Sequence, residues 1–216
     1  MEDLSIYLKP TYYIDYDSPL ISKISKKIAA SNPHETARAV FNFVRDRIIY
    51  TPYSQFYLPE HYLASRTLER GEGFCVQKAV LLAALARANS IPARLVFADI
   101  RNYLVPQKLW EMMKTNLFAH HGYNELYIDD RWIKVTPTFD LGMCKRLKLR
   151  PVEFDGRNPA IFHKYDLNGR LHIEYVNDHG HFADLPYEKI MDGLRRAYTE
   201  DMIRRWKDST IQNQQG

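Results

Sequence analysis

The feature that most constrains the fold is an apolar helix directly after a glycine-rich turn. The turn, GEGFC, occupies residues 71–75, and the segment VQKAVLLAALA follows at residues 76–86. From Ala79 to Ala86 this segment is apolar on nearly every face, which is the pattern of a helix that the protein surrounds completely. We therefore expect the rest of the chain to pack around a central, buried helix.

Cys75 stands where this helix begins. The first N–H groups of a helix lack intrahelical partners, and the helix dipole makes that end positive. Both effects predict a thiol pKa below the ordinary value of about 8.5, and they make Cys75 a candidate nucleophile. A free cysteine also serves as a small buried hydrophobic residue. That interpretation suits Cys144, which has no such turn before it.

Composition and charge exclude several other classes of protein. The chain has 216 residues, which suits a single domain, and its net charge of +4 argues against a nucleic-acid partner. Its two cysteines form no disulfide framework, its start carries no apolar signal segment, and its apolar runs are too short to span a bilayer. We expect a cytoplasmic protein with reduced thiols and no membrane partner, and the oligomeric state stays open. The basic cluster at residues 145–150 is expected to be a solvated face.

The order of elements predicts an α+β fold. Asn32 and Pro33 are a typical start for a helix whose apolar stripe runs to Ile48, and the buried central helix follows it. The expected strands all come after that helix, so helices precede strands and the sheet should be antiparallel. The remaining expectations are a helix around residues 21–24, strands at 94–97, 121–128, 131–136 and 171–176, a terminal helix at 186–202 and a disordered tail at 209–216.

A thiol nucleophile needs a nearby imidazole that a third polar group holds in place. Of the eight histidines, His121 has the best context because it enters a predicted strand, which would fix its position. Alternation puts His121, Tyr123 and Glu125 on one face. A two-residue turn at Asp129-Asp130 would set Glu125 opposite Lys134, a pair of opposite charge.

At these residues the chain resembles the transglutaminase-like superfamily, whose members are relatives of the papain-type cysteine proteases. Members carry Gly-x-Cys at the start of the core helix, then His-x-Trp-x-Glu and Trp-x-x-x-Asp-Pro-Thr on strands. This chain has GFC at residues 73–75, HGYNE at 121–125, WIKVTPT at 132–138 and, after the helix, IPAR at 91–94. The resemblance implies a papain/transglutaminase-like core at about residues 31–140, with a C-terminal extension at 141–208 packed on it.

Two positions depart from the family pattern. Tyr123 replaces the usual tryptophan, and Thr136 stands where the third catalytic residue, an aspartate, would be. Asp140 has the same strand parity as Thr136 and is a candidate substitute orienter of His121, beside a threonine hydroxyl or a water. Asn124 is a weaker candidate because it should point to the opposite face.

The resemblance implies a thiol acyl-transfer enzyme that acts on a peptide or glutamine-type amide of a peptide or protein. Hydrolysis is favoured over crosslinking because nothing in the sequence marks a lysine-binding surface. The alternative is a non-catalytic binding module that keeps the fold. No cofactor is expected. His179 and His181, with His163 or His172, are too weak a pattern to predict a metal site.

Overall fold

The computed structural model describes residues 2–212. Its helices are α1 (Pro19–Ile28), α2 (Pro33–Arg47), α3 (Ala64–Arg70), α4 (Cys75–Ala88), α5 (Gln107–Met113), α6 (Leu141–Leu147), α7 (Tyr187–Ala197) and α8 (Glu200–Gln212), with 3-10 turns at Leu4–Tyr7 and Pro59–Tyr62. Its strands are β1 (Ile49–Tyr50), β2 (Glu72–Gly73), β3 (Ala93–Asn102), β4 (Leu117–Ile128), β5 (Arg131–Val135) and β6 (Ile173–Phe182).

Four strands form one antiparallel sheet in the order β5-β4-β3-β6. Helix α4 packs on β3 and β4 of this sheet and α2 contacts β4, so the predicted α+β class with an antiparallel sheet is confirmed. β1 and β2 form a separate parallel pair that the sequence does not predict, because each strand is only two residues long. Through this pair the segment that follows α2 lies beside the turn that precedes Cys75.

Helix α4 is the buried centre of the molecule, as predicted. Its side chains from Val76 to Arg87 are buried, and the helix contacts α1, α2, α3 and the strands β3 and β4. Apolar residues on every face allow this, because each face meets another apolar layer.

The polar residues of α4 hold its surroundings in place. Lys78 is fully buried, and its ammonium donates to the backbone carbonyls of Arg45 and Ile48 at the end of α2. Burial lowers the pKa of Lys78 to about 7. Arg87 donates to the carbonyl of Ala93 at 3.0 Å, which ties the end of α4 to the start of β3. These bonds satisfy carbonyls that the ends of elements leave without partners.

The β4–β5 hairpin has the predicted register. Asp129 and Asp130 adopt positive φ angles of 51° and 58°, as a tight two-residue turn requires, and Glu125 lies opposite Lys134. The pairing of β5 with β4 ends at Val135. Beyond it the backbone of Thr136 donates to the carbonyl of Ala160.

The predicted terminal helix at residues 186–202 is wrong in its bounds. The structure has two helices, α7 and α8, and the chain is extended at Tyr198 between them. The second helix starts anew because the Thr199 hydroxyl accepts from the backbone N–H of Met202, an N-terminal cap.

The predicted disordered tail at residues 209–216 also needs correction at its start. Helix α8 continues through Gln212, and Thr210 is 1 % exposed. The hydroxyls of Ser209 and Thr210 donate to carbonyls three residues back, which keeps these polar residues inside the helix. The rest of the predicted tail, residues 213–216, lies outside the described residues.

Helix α8 packs against the N-terminal half of the chain. Its Trp206 stacks on Phe56 with ring centroids 4.1 Å apart, and the Trp206 indole donates to the carbonyl of Pro52. Stacking and a satisfied indole N–H fix this helix beside the turn that precedes Cys75. Among the helices within residues 2–212, none has the length and hydropathy needed to cross a bilayer.

Candidate active site

The turn before α4 sets the position of Cys75. Gln77 accepts from the backbone N–H of Phe74 at 3.2 Å and donates to the carbonyls of Gln55 and His61. A side chain at Gly73 would meet Gln77 within 3.1 Å, so glycine leaves room for this clamp. Cys75 is thereby fixed as the first residue of the helix, where it is half-buried.

Strand β4 brings His121 to the same place. Its neighbour Gly122 lies against the helix start so closely that a Cβ atom there would be 2.9 Å from the Cα of Val76. The backbone amide of Gly122 favours the Cys75 thiolate and so acts to lower the pKa of that thiol. Val76 and Gly122, the chain neighbours of Cys75 and His121, are therefore in contact where β4 approaches α4.

The two faces of β4 contact different parts of the molecule. Asn124 donates to the carbonyl of Ala79 at 2.9 Å, so it faces α4 as expected and is not beside the imidazole. His121 and Tyr123 share the other face, with parallel rings 6.1 Å apart. The predicted alternation along β4 therefore holds from His121 to Asn124.

Cys75 and His121 line two adjoining cavities. The main cavity has a volume of about 300 Å³, and aromatic and aliphatic side chains form most of its wall. The small cavity has a volume of about 50 Å³ and is lined by α7, α8 and α5. Tyr50 contributes to the wall of both cavities. A substrate in the main cavity would meet both the sulfur and the imidazole.

A threonine pair stands where the family has an aspartate. Nε2 of His121 lies 3.4 Å from Oγ1 of Thr136, which in turn lies 3.0 Å from Oγ1 of Thr138. All three side chains are almost fully buried. Thr138 was not among the predicted site residues, although its register opposite His121 was the available signal. The two hydroxyls hold the imidazole without any negative charge.

Asp140 does not orient His121 in this structure, contrary to the expectation from parity. It is the N-cap of α6, where Oδ1 accepts from the backbone N–H of Met143 at 2.7 Å. Oδ2 accepts from the backbone N–H of Tyr50 at 3.2 Å. The strand does not continue through Phe139, so parity with Thr136 gives no common face. The structure thus brings together Cys75, His121 and Thr136, with Asp140 engaged by backbone amides.

The predicted low pKa of Cys75 is wrong. Burial raises the pKa of the Cys75 thiol to about 11, against a smaller opposing effect from the backbone amides of Gly122, Val76 and Cys75. Burial likewise lowers the pKa of His121 to about 3, because no carboxylate offsets the charge of an imidazolium. At neutral pH the pair is therefore a thiol beside a neutral imidazole.

His120 has a structural position. It adopts a positive φ of 53° and stacks on His179 with ring centroids 4.1 Å apart, and His179 pairs with Asp99 at 2.7 Å. Burial lowers the pKa of His120 to about 4. Within residues 2–212 there is no group of three or more acidic, histidine or cysteine side chains that could hold a metal ion.

The fold and the site together define a class: an α+β protein with a cysteine at the start of a buried helix and a histidine on the adjacent strand. Comparison with family models gives the family. Residues 22–137 match the core of the transglutaminase-like superfamily, which is more than half of the chain. The chain belongs to the transglutaminase-like superfamily.

A solved structure shares this fold at low sequence identity. A proposed cysteine protease from Cytophaga hutchinsonii superposes with a TM-score of 0.54 at 20% identity, covering 88% of this chain and 50% of that one. The periplasmic domain of TgpA from Pseudomonas aeruginosa gives a TM-score of 0.44 at 20% identity over 63% of this chain and 48% of that one. The chain thus spans about half the length of these structures. Among curated proteins none matches it.

Proposed function

We propose that this protein is a thiol acyl-transfer enzyme that cleaves an amide bond of a peptide or protein. The observation that carries the proposal is that Cys75 and His121 line one cavity, with Thr136 3.4 Å from Nε2 of His121. A nucleophile beside a base, in a cavity large enough for a side chain, is the arrangement that acyl transfer requires.

In the proposed mechanism His121 is the base and Thr136 its positioning residue. Nε2–H of His121 donates to Thr136, which leaves the lone pair of Nδ1 to accept the Cys75 proton as the sulfur attacks the carbonyl carbon. The backbone N–H of Cys75, which has no intrahelical partner at the helix start, donates to the oxyanion. The imidazolium then protonates the leaving amine, and the C–N bond breaks to give a thioester.

Water completes the proposed reaction. Neutral His121 takes a proton from water as its oxygen attacks the thioester, and the C–S bond breaks to release the acid and the Cys75 thiol. We favour hydrolysis over crosslinking because Lys108 and Arg146 line the main cavity. Both cations would repel the ammonium of an approaching lysine acceptor.

The second candidate function is a binding module without catalysis. Cys75 and His121 are both neutral, and a threonine pair stands in place of a carboxylate. These features favour a binding module, because an imidazolium in this site has no counter-charge. Loss of the orienting carboxylate costs a triad enzyme about 10⁴-fold in kcat. The main cavity would then hold a peptide without cleaving it.

Turnover of a panel of amide substrates, with and without an added amine, tests the proposal. We expect slow turnover that Cys75→Ala and His121→Ala each abolish, with acid and not the exchanged amide as the main product. Cys144→Ala is the matched control, because Cys144 is buried away from both cavities and should leave turnover unchanged. Equal product from wild type and Cys75→Ala would contradict the proposal and favour the binding module.

We also propose the remaining features expected from the sequence. One domain with a core at about residues 31–140 and a packed extension at 141–208 is supported by the stacking of Trp206 on Phe56. A cytoplasmic location is supported by Cys75 and Cys144, which are both free thiols.

A further inference from the structure

The main cavity carries an unbalanced positive charge. Lys108, from α5, and Arg146, from α6, both line it together with Cys75 and His121. None of the described residues that line it is acidic. Arg146 belongs to the basic cluster at residues 145–150 that the sequence presents as a solvated face, so one member of that cluster borders the candidate site.

Neither cation is neutralised by a partner. Within residues 2–212 Lys108 and Arg146 form no ion pair, whereas buried arginines such as Arg45 and Arg94 hold carboxylates at 2.8 and 2.6 Å. Asp140 lies near Arg146, since a Cβ atom on Gly142 would be 3.0 Å from Oδ1 of Asp140 and 3.4 Å from Nη1 of Arg146, but Asp140 forms no ion pair with it and does not line the cavity. The ammonium of Lys108 lies over the ring of Tyr53, 5.3 Å from its centre, at the edge of the cavity.

Most of the rest of the wall is apolar, and much of it is aromatic. Phe118, Phe139 and Phe162 line the main cavity, with Ile100 and Leu109 beside them. A wall of this kind takes up an aromatic or large aliphatic group, and a few charged groups at its margin then fix the orientation of the ligand.

We infer that the main cavity selects amide substrates that carry a carboxylate next to an aromatic or large aliphatic group. The inference rests on the proposed function and names the substrate class of the same site. Arg146 would hold the carboxylate through two N–H donors, and Lys108 would add a point charge. The carboxylate is either a chain terminus or an acidic side chain, and both present the same chemistry to these cations.

Alkylation of Cys75 by iodoacetate and by iodoacetamide tests the charge selection directly. Both reagents form a C–S bond and release iodide, and they differ in the negative charge of iodoacetate. We expect the ratio of the iodoacetate rate to the iodoacetamide rate at Cys75 to fall about 5-fold in the Lys108→Gln/Arg146→Gln double variant. The same ratio should fall in wild type as salt is added. Arg146→Lys should keep most of the ratio. Lys145→Gln, an exposed cation of the same helix outside the cavity, is the control and should keep all of it.

Binding to the Cys75→Ala variant tests the same inference without the nucleophile. N-acetyl-phenylalanine and its amide are compared by NMR titration for a terminal carboxylate, and acetyl-Phe-Glu-amide and acetyl-Phe-Gln-amide for a side-chain carboxylate. We expect the acid of at least one pair to bind about 5-fold more tightly, and Lys108→Gln/Arg146→Gln to remove that difference. Equal binding of the acid and the amide within both pairs overturns the inference. So does an unchanged ratio of the iodoacetate and iodoacetamide rates in the double variant, provided that iodoacetamide modifies Cys75. If Cys75 resists both reagents, the proposed function loses its nucleophile, and the binding comparison still decides the substrate class.

Discussion

At the scale of single residues, Thr136 has the most direct effect on the candidate chemistry. In the proposed mechanism its hydroxyl, 3.4 Å from Nε2 of His121, accepts from Nε2–H and so leaves Nδ1 free to accept a proton. A carboxylate at this position would also stabilise the imidazolium, which a hydroxyl does not. We therefore expect His121 to be an oriented but weak base, and turnover to be slow.

Replacing Thr136 separates orientation from packing. Thr136→Val keeps the shape and removes the hydrogen bond, so we expect kcat to fall about 10-fold, as the loss of about 1.4 kcal/mol predicts. KM should stay the same, because Thr136 does not line the cavity. Kinetics on the best substrate of the amide panel provide the measurement.

Thr136→Ser is the matched control for this change. Serine keeps the hydroxyl and loses one methyl group, so kcat should return to within about 2-fold of wild type. A valine variant with undiminished kcat would show that Thr136 does not position His121. A fall shared by both variants would indicate a packing defect instead.

At the scale of elements, α7 is fixed to the sheet through His120. A Cβ atom on Gly193 would lie 1.8 Å from Nε2 of His120, so the helix and the imidazole occupy adjoining space with no room for a methyl group. The His120 ring is also stacked on His179, which prevents it from moving aside. Ile190 and Leu194 of the same helix line the small cavity, so this contact also shapes the site.

Gly193→Ala should therefore destabilise the protein more than its position on a helix suggests. Alanine is the better helix former, yet overpacking here should lower the free energy of unfolding by about 2 kcal/mol. Urea unfolding measures the change. In the double variant Gly193→Ala/His120→Ala the methyl group has space, and its stability should match or exceed that of His120→Ala alone. Simple addition of the two single effects would refute the proposed steric conflict.

The elements also differ in how far the sequence predicts them. The all-round apolar pattern of α4 and the Asp129-Asp130 turn each specify one local structure, so the central helix and the hairpin register are predicted correctly. The break at Thr199 is missed because an N-cap inside a continuous amphipathic pattern gives a weak local signal. The strand-parity argument for Asp140 fails for a related reason. It assumes that the strand continues to residue 140, whereas β5 ends at Val135.

At the scale of the whole molecule, burial decides the charge states that local sequence cannot predict. The helix start at Cys75 favours a thiolate, but the surrounding protein removes enough water to raise the pKa to about 11. The same desolvation acts on His120, His121 and His172, whose pKa values are lowered to about 4, 3 and 4. Each effect depends on which distant segments cover the group, and that information is distributed over the entire fold.

These three imidazoles make the folded state sensitive to mild acid. Each is neutral when folded and has an ordinary pKa of about 6.5 when unfolded, so the unfolded chain binds more protons below that pH. Their contribution is fully present above pH 6.5 and is lost as the pH falls toward 4. Between pH 6.5 and 5 each buried imidazole should lower the free energy of unfolding by about 2 kcal/mol.

Urea unfolding at pH 7.5 and pH 5.0 checks this expectation, in a range where most carboxylates keep their charge. His172→Phe is the informative variant, because Nε2 of His172 is buried without a hydrogen-bond partner and its ring lies against Phe139 and Phe162. The variant should lose about 2 kcal/mol less than wild type between the two pH values. An equal loss in both proteins would mean that His172 takes up its proton without unfolding. His172 would then contribute nothing to the acid sensitivity of this fold.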